Sequence, residues 1–176
     1  MAHISRGVEY ALHCMLFLSD QQEVNAPSAH ELAEFQGVPS AFVAKLFTKL
    51  VKAGLVRSAT GARGGYTLAR PANAITILQV VEAIDGTQPL FQCTEVRRNC
   101  VLFTGSPPAF ATRGTCGINQ VMRDADAAMR EFLAGRTLAD IGSAVAGKIP
   151  VRHIEEGRSW FEQRALERAT RGRSAD

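Results

Sequence analysis

The sequence predicts a mainly α chain interrupted by one small β-hairpin. Apolar residues recur at three- and four-residue spacing through most of the chain. One stretch breaks that rhythm, where residues 55–58 and 66–68 are β-prone and flank a glycine-rich tip. Several helical patterns open on a capping Ser or Thr and close on Gly. The 176 residues, 46% hydrophobic, suit one compact domain or two small ones sharing an interface. The most apolar run, YALHCMLFL at 10–18, falls short of the roughly 18 residues of a membrane span and contains His13. Glu9 and His13 also spoil it as a secretion signal, so a cytoplasmic protein is expected.

Residues 4–19 read as a first helix, with Ile4, Val8, Ala11, Leu12, Met15 and Leu18 on one stripe. Ser28 and Glu31 fit a capping box that opens a short helix through Phe35, ended by Gly37. After the turn GVP, Ser40 is expected to cap a helix bearing Phe42, Val43, Leu46, Phe47, Leu50 and Val51, stopped by Gly54. Lys45, Lys49 and Lys52 share the face these residues leave open. The hairpin follows, with Gly61, Gly64 and Gly65 in its turn and Arg63 at its tip. Thr76 caps a helix over 76–85 that Gly86 ends. From Thr87 to Thr115 no periodicity is sustained, and so long a loop needs a function or an internal brace. Ile118, Val121, Met122, Ala125, Met129, Phe132 and Leu133 then mark a long amphipathic helix, suited to packing on a copy of itself or on its own domain. A short helix is expected over 137–146. Beyond Pro150 a charged tail carries a final helix around Trp160 and Phe161, and its RGRSAD end reads as disordered. These patterns divide the chain into 1–86, a loop 87–116, helices 117–146 and a tail 147–176.

Between Gly37 and Arg70 stand Lys45, Lys49, Lys52, Arg57, Arg63 and Arg70, without one Asp or Glu. An acid-free basic run of this kind suits a polyanion. Helical pattern alone would leave a merely solvated lysine face as the readier explanation, but the charge run and glycine hairpin together favour a winged helix-turn-helix that binds double-stranded DNA. The N-terminal residues of such a reading helix go deepest into the major groove, which nominates Ser40, Ala41 and Phe42 for base edges. Lys45 and Lys49 would meet phosphates, Arg57 lies on the same basic surface, and Arg63 would reach the flanking minor groove.

Glu9 and His13 stand four apart and share a helix face. A Glu–His ion pair explains them adequately; so would two ligands of one metal. Within a buried stretch, either arrangement would answer the cost of the carboxylate. Cys93, Cys100 and Cys116 fall in or at the end of the loop, with six and fifteen residues between them, and match no zinc-finger spacing. Cys14 sits among apolar residues and reads as a core thiol.

The order of these elements, with GLVRSATGARGGYTLARP, ILQVVEAIDG and the cysteine loop, resembles the winged-helix iron-sulfur regulators of the IscR, NsrR and RsrR type over about residues 1–146. The second cysteine gap is much longer than that family's common five-residue spacing, and the chain is most similar to the RsrR type. GVEYALHC, CTEVRR and the C116–M122 stretch carry that likeness. It implies a 2Fe-2S cluster held by Glu9, His13, Cys93 and Cys116, the two pairs coming from different subunits of a homodimer. Cys100 is left as an alternative ligand or a free thiol. Oxygen and nitrogen donors on one iron raise its potential relative to all-cysteine clusters, as in Rieske centres. The implied function is a redox sensor whose cluster state alters affinity for a palindromic operator.

Two rivals remain at this level: a winged-helix regulator switched by oxidation of the loop thiols, and a DNA-binding scaffold without a switch. No phosphate-binding glycine loop, nucleophile elbow or metal-hydrolase motif is present, so an enzyme is not expected.

Overall fold

The computed structural model describes residues 4–19, 26–59 and 64–173, with side chains placed to residue 170. Among the described residues eight helices and one hairpin follow in order: α1 (Arg6–Ser19), α2 (Ala29–Gln36), α3 (Ser40–Lys52), β1 (Val56–Ala59), β2 (Gly65–Leu68), α4 (Ile77–Asp85), α5 (Ala109–Thr112), α6 (Gly117–Ala134), α7 (Leu138–Ala146) and α8 (Val151–Arg173). Short 3-10 turns lie at Ala72–Ala74 and Val96–Asn99.

The core collects the apolar stripes of α1, α2, α3 and α4. Val8, Ala11, Cys14, Met15 and Leu18 of α1 meet Leu32, Val43, Leu46, Phe47, Leu50 and Val80, all buried. Ser28 closes the expected capping box: its Oγ accepts from Glu31 N–H at 3.2 Å, and Glu31 Oε2 accepts from Ser28 N–H at 2.7 Å. Thr76 with Gln79 and Thr137 with Asp140 repeat the device at α4 and α7. Gly37 ends α2 at φ +64°, a conformation that penalises a Cβ, and lets Val38 N–H reach back to Ala33 O at 2.9 Å.

Ser40 does not cap α3. Pro39 occupies that position in an extended conformation, φ −63° and ψ 126°, with no side-chain cap, and its carbonyl accepts from Phe42 and Val43 N–H. Ser40 is the first helical residue.

β1 and β2 pair antiparallel from Val56↔Leu68 to Ala59↔Gly65. The hairpin docks on the segment before α2: Tyr66 N–H donates to Pro27 O at 2.9 Å, and a Cβ on Gly65 would stand 2.0 Å from Ala26 O. That close approach is why glycine is required at the root of β2. The hairpin tip, including Arg63, lies outside the described residues.

The charged tail is more structured than its sequence indicates. α8 extends to Arg173, into the segment read as disordered; residues 174–176 lie outside the described part. Phe161 is buried against Phe17 and Phe35, with Trp160 beside them. Arg164 pairs with Glu34, while Arg168 pairs with Glu31 and donates to Ala26 O at 2.9 Å. A strand-like bridge between Thr76 and Thr137, with Ile77 N–H on Arg136 O and Leu138 N–H on Ile75 O, ties the start of α4 to that of α7.

Candidate nucleic-acid interface and metal centre

α2, a tight turn and α3 form a helix-turn-helix, and the hairpin stands beside it as a wing. Ser40, Ala41 and Phe42 are exposed at the N-terminus of α3, where a reading helix presents its residues. Phe42 is anchored by the edge-on ring of Tyr10, centroids 5.8 Å apart, which links α1 to the tip of α3. Lys45 is exposed on the same helix, and Arg57 is exposed on β1 opposite Thr67. Lys49 is exposed too, but its ammonium donates to Ile84 O at 2.5 Å, in the last turn of α4. There it meets an otherwise unpaired helix-end carbonyl and the negative end of the helix dipole. Sequence spacing put Lys49 on the open face of α3 and could not reveal the helix end beneath it.

The α1 pair differs from its sequence reading in one respect. Glu9 and His13 are exposed, not buried, and neither forms a hydrogen bond or ion pair with the other or with another described residue. The ion-pair alternative is therefore not realised in the single chain. Cys14, one residue further round, is fully buried, and burial pushes its thiol up to about 12. It is the core thiol that the apolar surroundings predict.

The loop from 87 to 116 contains more order than its sequence shows. Leu90 N–H donates to Asp126 Oδ1 at 3.3 Å, joining the start of the loop to α6. Cys93 Sγ accepts from Glu95 N–H at 3.4 Å, with Glu95 in the left-handed region at φ 53°. Arg97 Nε donates to Glu95 Oε2 at 2.8 Å, and the remaining guanidinium nitrogens donate to Gly114 O at 2.6 Å and Arg113 O at 3.4 Å. The guanidinium holds the Glu95 carboxyl below the usual carboxylate range. Cys116 sits at the N-cap of α6, where the backbone N–H groups of Asn119 and Ile118, aided by the Arg97 charge, lower its thiol pKa. Arg97 is near enough to interact electrostatically with both Cys93 and Cys116.

Cys100 is half-buried, and its thiol is free like the other three. Among the described residues no three His, Cys, Asp or Glu side chains converge on one metal position. Of the predicted ligands, Glu9 and His13 lie exposed on α1, while Cys93 and Cys116 lie toward the two ends of the loop, both within the field of Arg97. Sequence reading singled out the cysteines but not Arg97; the adjacent Glu and Arg of CTEVRR were the available signal.

α6 has no buried residue. Ile118, Val121 and Phe132 are each more than 60% exposed, so most of the apolar side of this amphipathic helix is left uncovered by its own domain, with only Met129 and Leu133 of that side half-buried. It is held to α4 by the Arg130–Glu82 ion pair. No helix among the described residues is long and apolar enough to cross a membrane.

A basic reading helix in a helix-turn-helix with an antiparallel wing defines a DNA-binding regulator rather than an enzyme. The chain belongs to the Rrf2 family of transcriptional regulators, whose model, described as iron-dependent, matches residues 4–144. It is 31% identical over 137 residues to the transcriptional regulator IscR of Vibrio parahaemolyticus, covering 78% of this chain and 74% of that one. The fold matches CymR, the global cysteine regulator of B. subtilis, with a TM-score of 0.63 and 24% identity over 82% of this chain and 98% of the other. The oxidised form of Staphylococcus aureus CymR aligns at 27% identity with a TM-score of 0.55, over 80% of this chain and 95% of that one. The family resemblance read from the sequence thus holds at the level of IscR- and CymR-like regulators.

Proposed function

We propose that this chain is a cytoplasmic, redox-sensing regulator that binds a palindromic operator as a homodimer and carries a 2Fe-2S cluster in an RsrR-like manner. The observation that carries the reading is the pair of incomplete donor sets. Glu9 and His13 lie exposed and unpartnered on α1, while Cys93 and Cys116 share the field of Arg97 at the end of the loop. A carboxylate, an imidazole and two thiols, one with a lowered pKa, fit the donor chemistry of a mixed-ligand cluster. The exposed apolar side of α6 supports a second copy that would complete each set. Bound there, the cluster would supply a one-electron redox change near α1.

The chain's own residues supply the coupling. Tyr10 follows Glu9 and packs edge-on against Phe42 at the reading end of α3, so a shift of α1 changes how Ser40, Ala41 and Phe42 are presented. Lys45 and Arg57 contribute charge to the phosphate contacts, Lys49 adds field rather than a free ammonium, and Arg63, outside the described residues, would complete the DNA-binding set.

A second reading keeps the regulator and replaces the cluster with oxidation of Cys93, Cys100 and Cys116. The lowered pKa of Cys116 and the likeness to the oxidised form of S. aureus CymR favour it. Complementation separates the two. Anaerobically reconstituted wild type should be red-brown with one cluster per chain, and His13→Ala and Cys93→Ser should each be colourless. Co-expressed heterodimers of the two variants should recover half the wild-type iron and sulfide, because one of their two sites is intact. A His13→Ala variant that still responds to oxidant through its thiols would favour the second reading.

A further inference from the structure

We propose that Arg97 is the clasp of the cysteine loop, a positioning residue that holds Cys93 and Cys116 at one end of a segment otherwise free to spread. The inference rests on reading those two cysteines as the working pair, and it applies whether they bind a cluster or form a disulfide.

The geometry is a fork. From one guanidinium, Nε donates to Glu95 Oε2 at 2.8 Å, one terminal nitrogen to Gly114 O at 2.6 Å and the other to Arg113 O at 3.4 Å. Glu95 lies two residues from Cys93, and Gly114 lies two residues from Cys116. The contacts thus grip the chain at the same short distance from either thiol and close the intervening loop. Glu95 is anchored on its other side, since its N–H donates to Cys93 Sγ at 3.4 Å. Carboxylate, guanidinium and thiol therefore form one connected unit.

Little else among the described residues performs this task. The two arms touch where the 3-10 turn at 96–99 meets α5, but of α5 only Ala111 is buried. Val101, Leu102 and Phe110 are each more than 75% exposed, so apart from the edge-on Phe103–Phe110 contact and the Leu90–Asp126 hydrogen bond the loop has little core to hold its ends together. A planar fork of N–H donors is what two successive carbonyls and a carboxylate require. An ammonium, a single point donor, satisfies them only in part.

The test uses full-length, cluster-free protein carrying Cys100→Ser, so that Cys93 and Cys116 are its accessible thiols, and dibromobimane, which fluoresces when it bridges two neighbouring thiols. The parent should bridge readily. Adding Arg97→Gln should lower the bridging rate about tenfold as the local concentration of one thiol at the other falls. Arg97→Lys should lie between. Circular dichroism should show an unchanged helical signal in every variant. Equal bridging in the Arg97→Gln protein, or slow bridging already in the parent, would overturn the clasp. Cluster occupancy is measured separately on anaerobically reconstituted protein with Cys100 intact. Wild type without a cluster but with Arg97-dependent bridging would reject the cluster reading and keep the clasp, and a loaded wild type with Arg97-independent bridging would do the reverse.

Discussion

Four cysteines with the same side chain occupy different chemical settings. Burial holds Cys14 protonated up to about 12, whereas the amides of Asn119 and Ile118 at the start of α6, with Arg97 near, lower the pKa of Cys116. Only thiolates alkylate, so in cluster-free protein the pH profile of Cys116 alkylation by iodoacetamide should rise at lower pH than that of an ordinary thiol. Cys14 should stay unmodified until the protein unfolds, and peptide mass spectrometry reads all four sites in one experiment. Labelling of Cys14 in the folded protein would contradict the core assignment. The sign for stability follows: between pH 9 and 12 the unfolded Cys14 thiol ionises and the folded one does not, so its contribution falls as pH rises. Cys14 as a core thiol was legible in the sequence because its neighbours are apolar. The exposure of Glu9 and His13 was not, because the apolar residues around His13 implied burial and only the packing of α1 shows which stripe faces out. Arg97 went unnoticed for a related reason, since its partners at 113 and 114 lie far along the chain and are backbone atoms.

The helices and hairpin follow closely from local chemistry. Ser28, Thr76 and Thr137 each begin a helix where a hydroxyl and a side chain three residues on satisfy orphan N–H groups, and such signals need no tertiary context. Ser40 misled because a preceding proline starts α3 instead. α8 was understated because Phe161, its one deeply buried residue among the described side chains, sits among charges that resemble a solvated tail. At this scale the division of labour among the α3 lysines can be checked. Lys45→Gln should reduce the magnitude of the salt slope of DNA binding by about 1 per bound subunit, because one phosphate contact and its released counterion are lost. Lys49→Gln should change the slope less and the stability more, since its ammonium is tied to Ile84 O. Fluorescence anisotropy across a salt series, with denaturant unfolding in parallel, separates the two effects. Equal slopes for Lys45→Gln and wild type would remove Lys45 from the phosphate contacts.

In the whole molecule, the DNA-reading unit is braced from both ends of the chain. α1 lies under α3 through the Tyr10–Phe42 pair, and α8 returns to α2 through Phe161, Arg164 and Arg168, the last also touching the segment on which the wing docks. Phe161→Ala removes a buried ring and should destabilise the protein by about 3–5 kcal/mol in urea unfolding. A loss under 1 kcal/mol would show that α8 does not brace the fold in solution. This long-range docking was not legible in the sequence, whose pattern beyond 150 is dominated by charge, although the winged helix itself could be read from periodicity, glycines and the acid-free run. The central claim is that electron transfer to a centre shared between α1 of one copy and the cysteine loop of the other resets DNA affinity. Its most direct test is an anaerobic dithionite titration in which visible absorbance and operator binding are recorded on the same sample. The account predicts that the cluster absorbance and the DNA affinity change together, with one midpoint, and that both changes disappear in His13→Ala. Operator affinity that stays constant while the absorbance bleaches would contradict it.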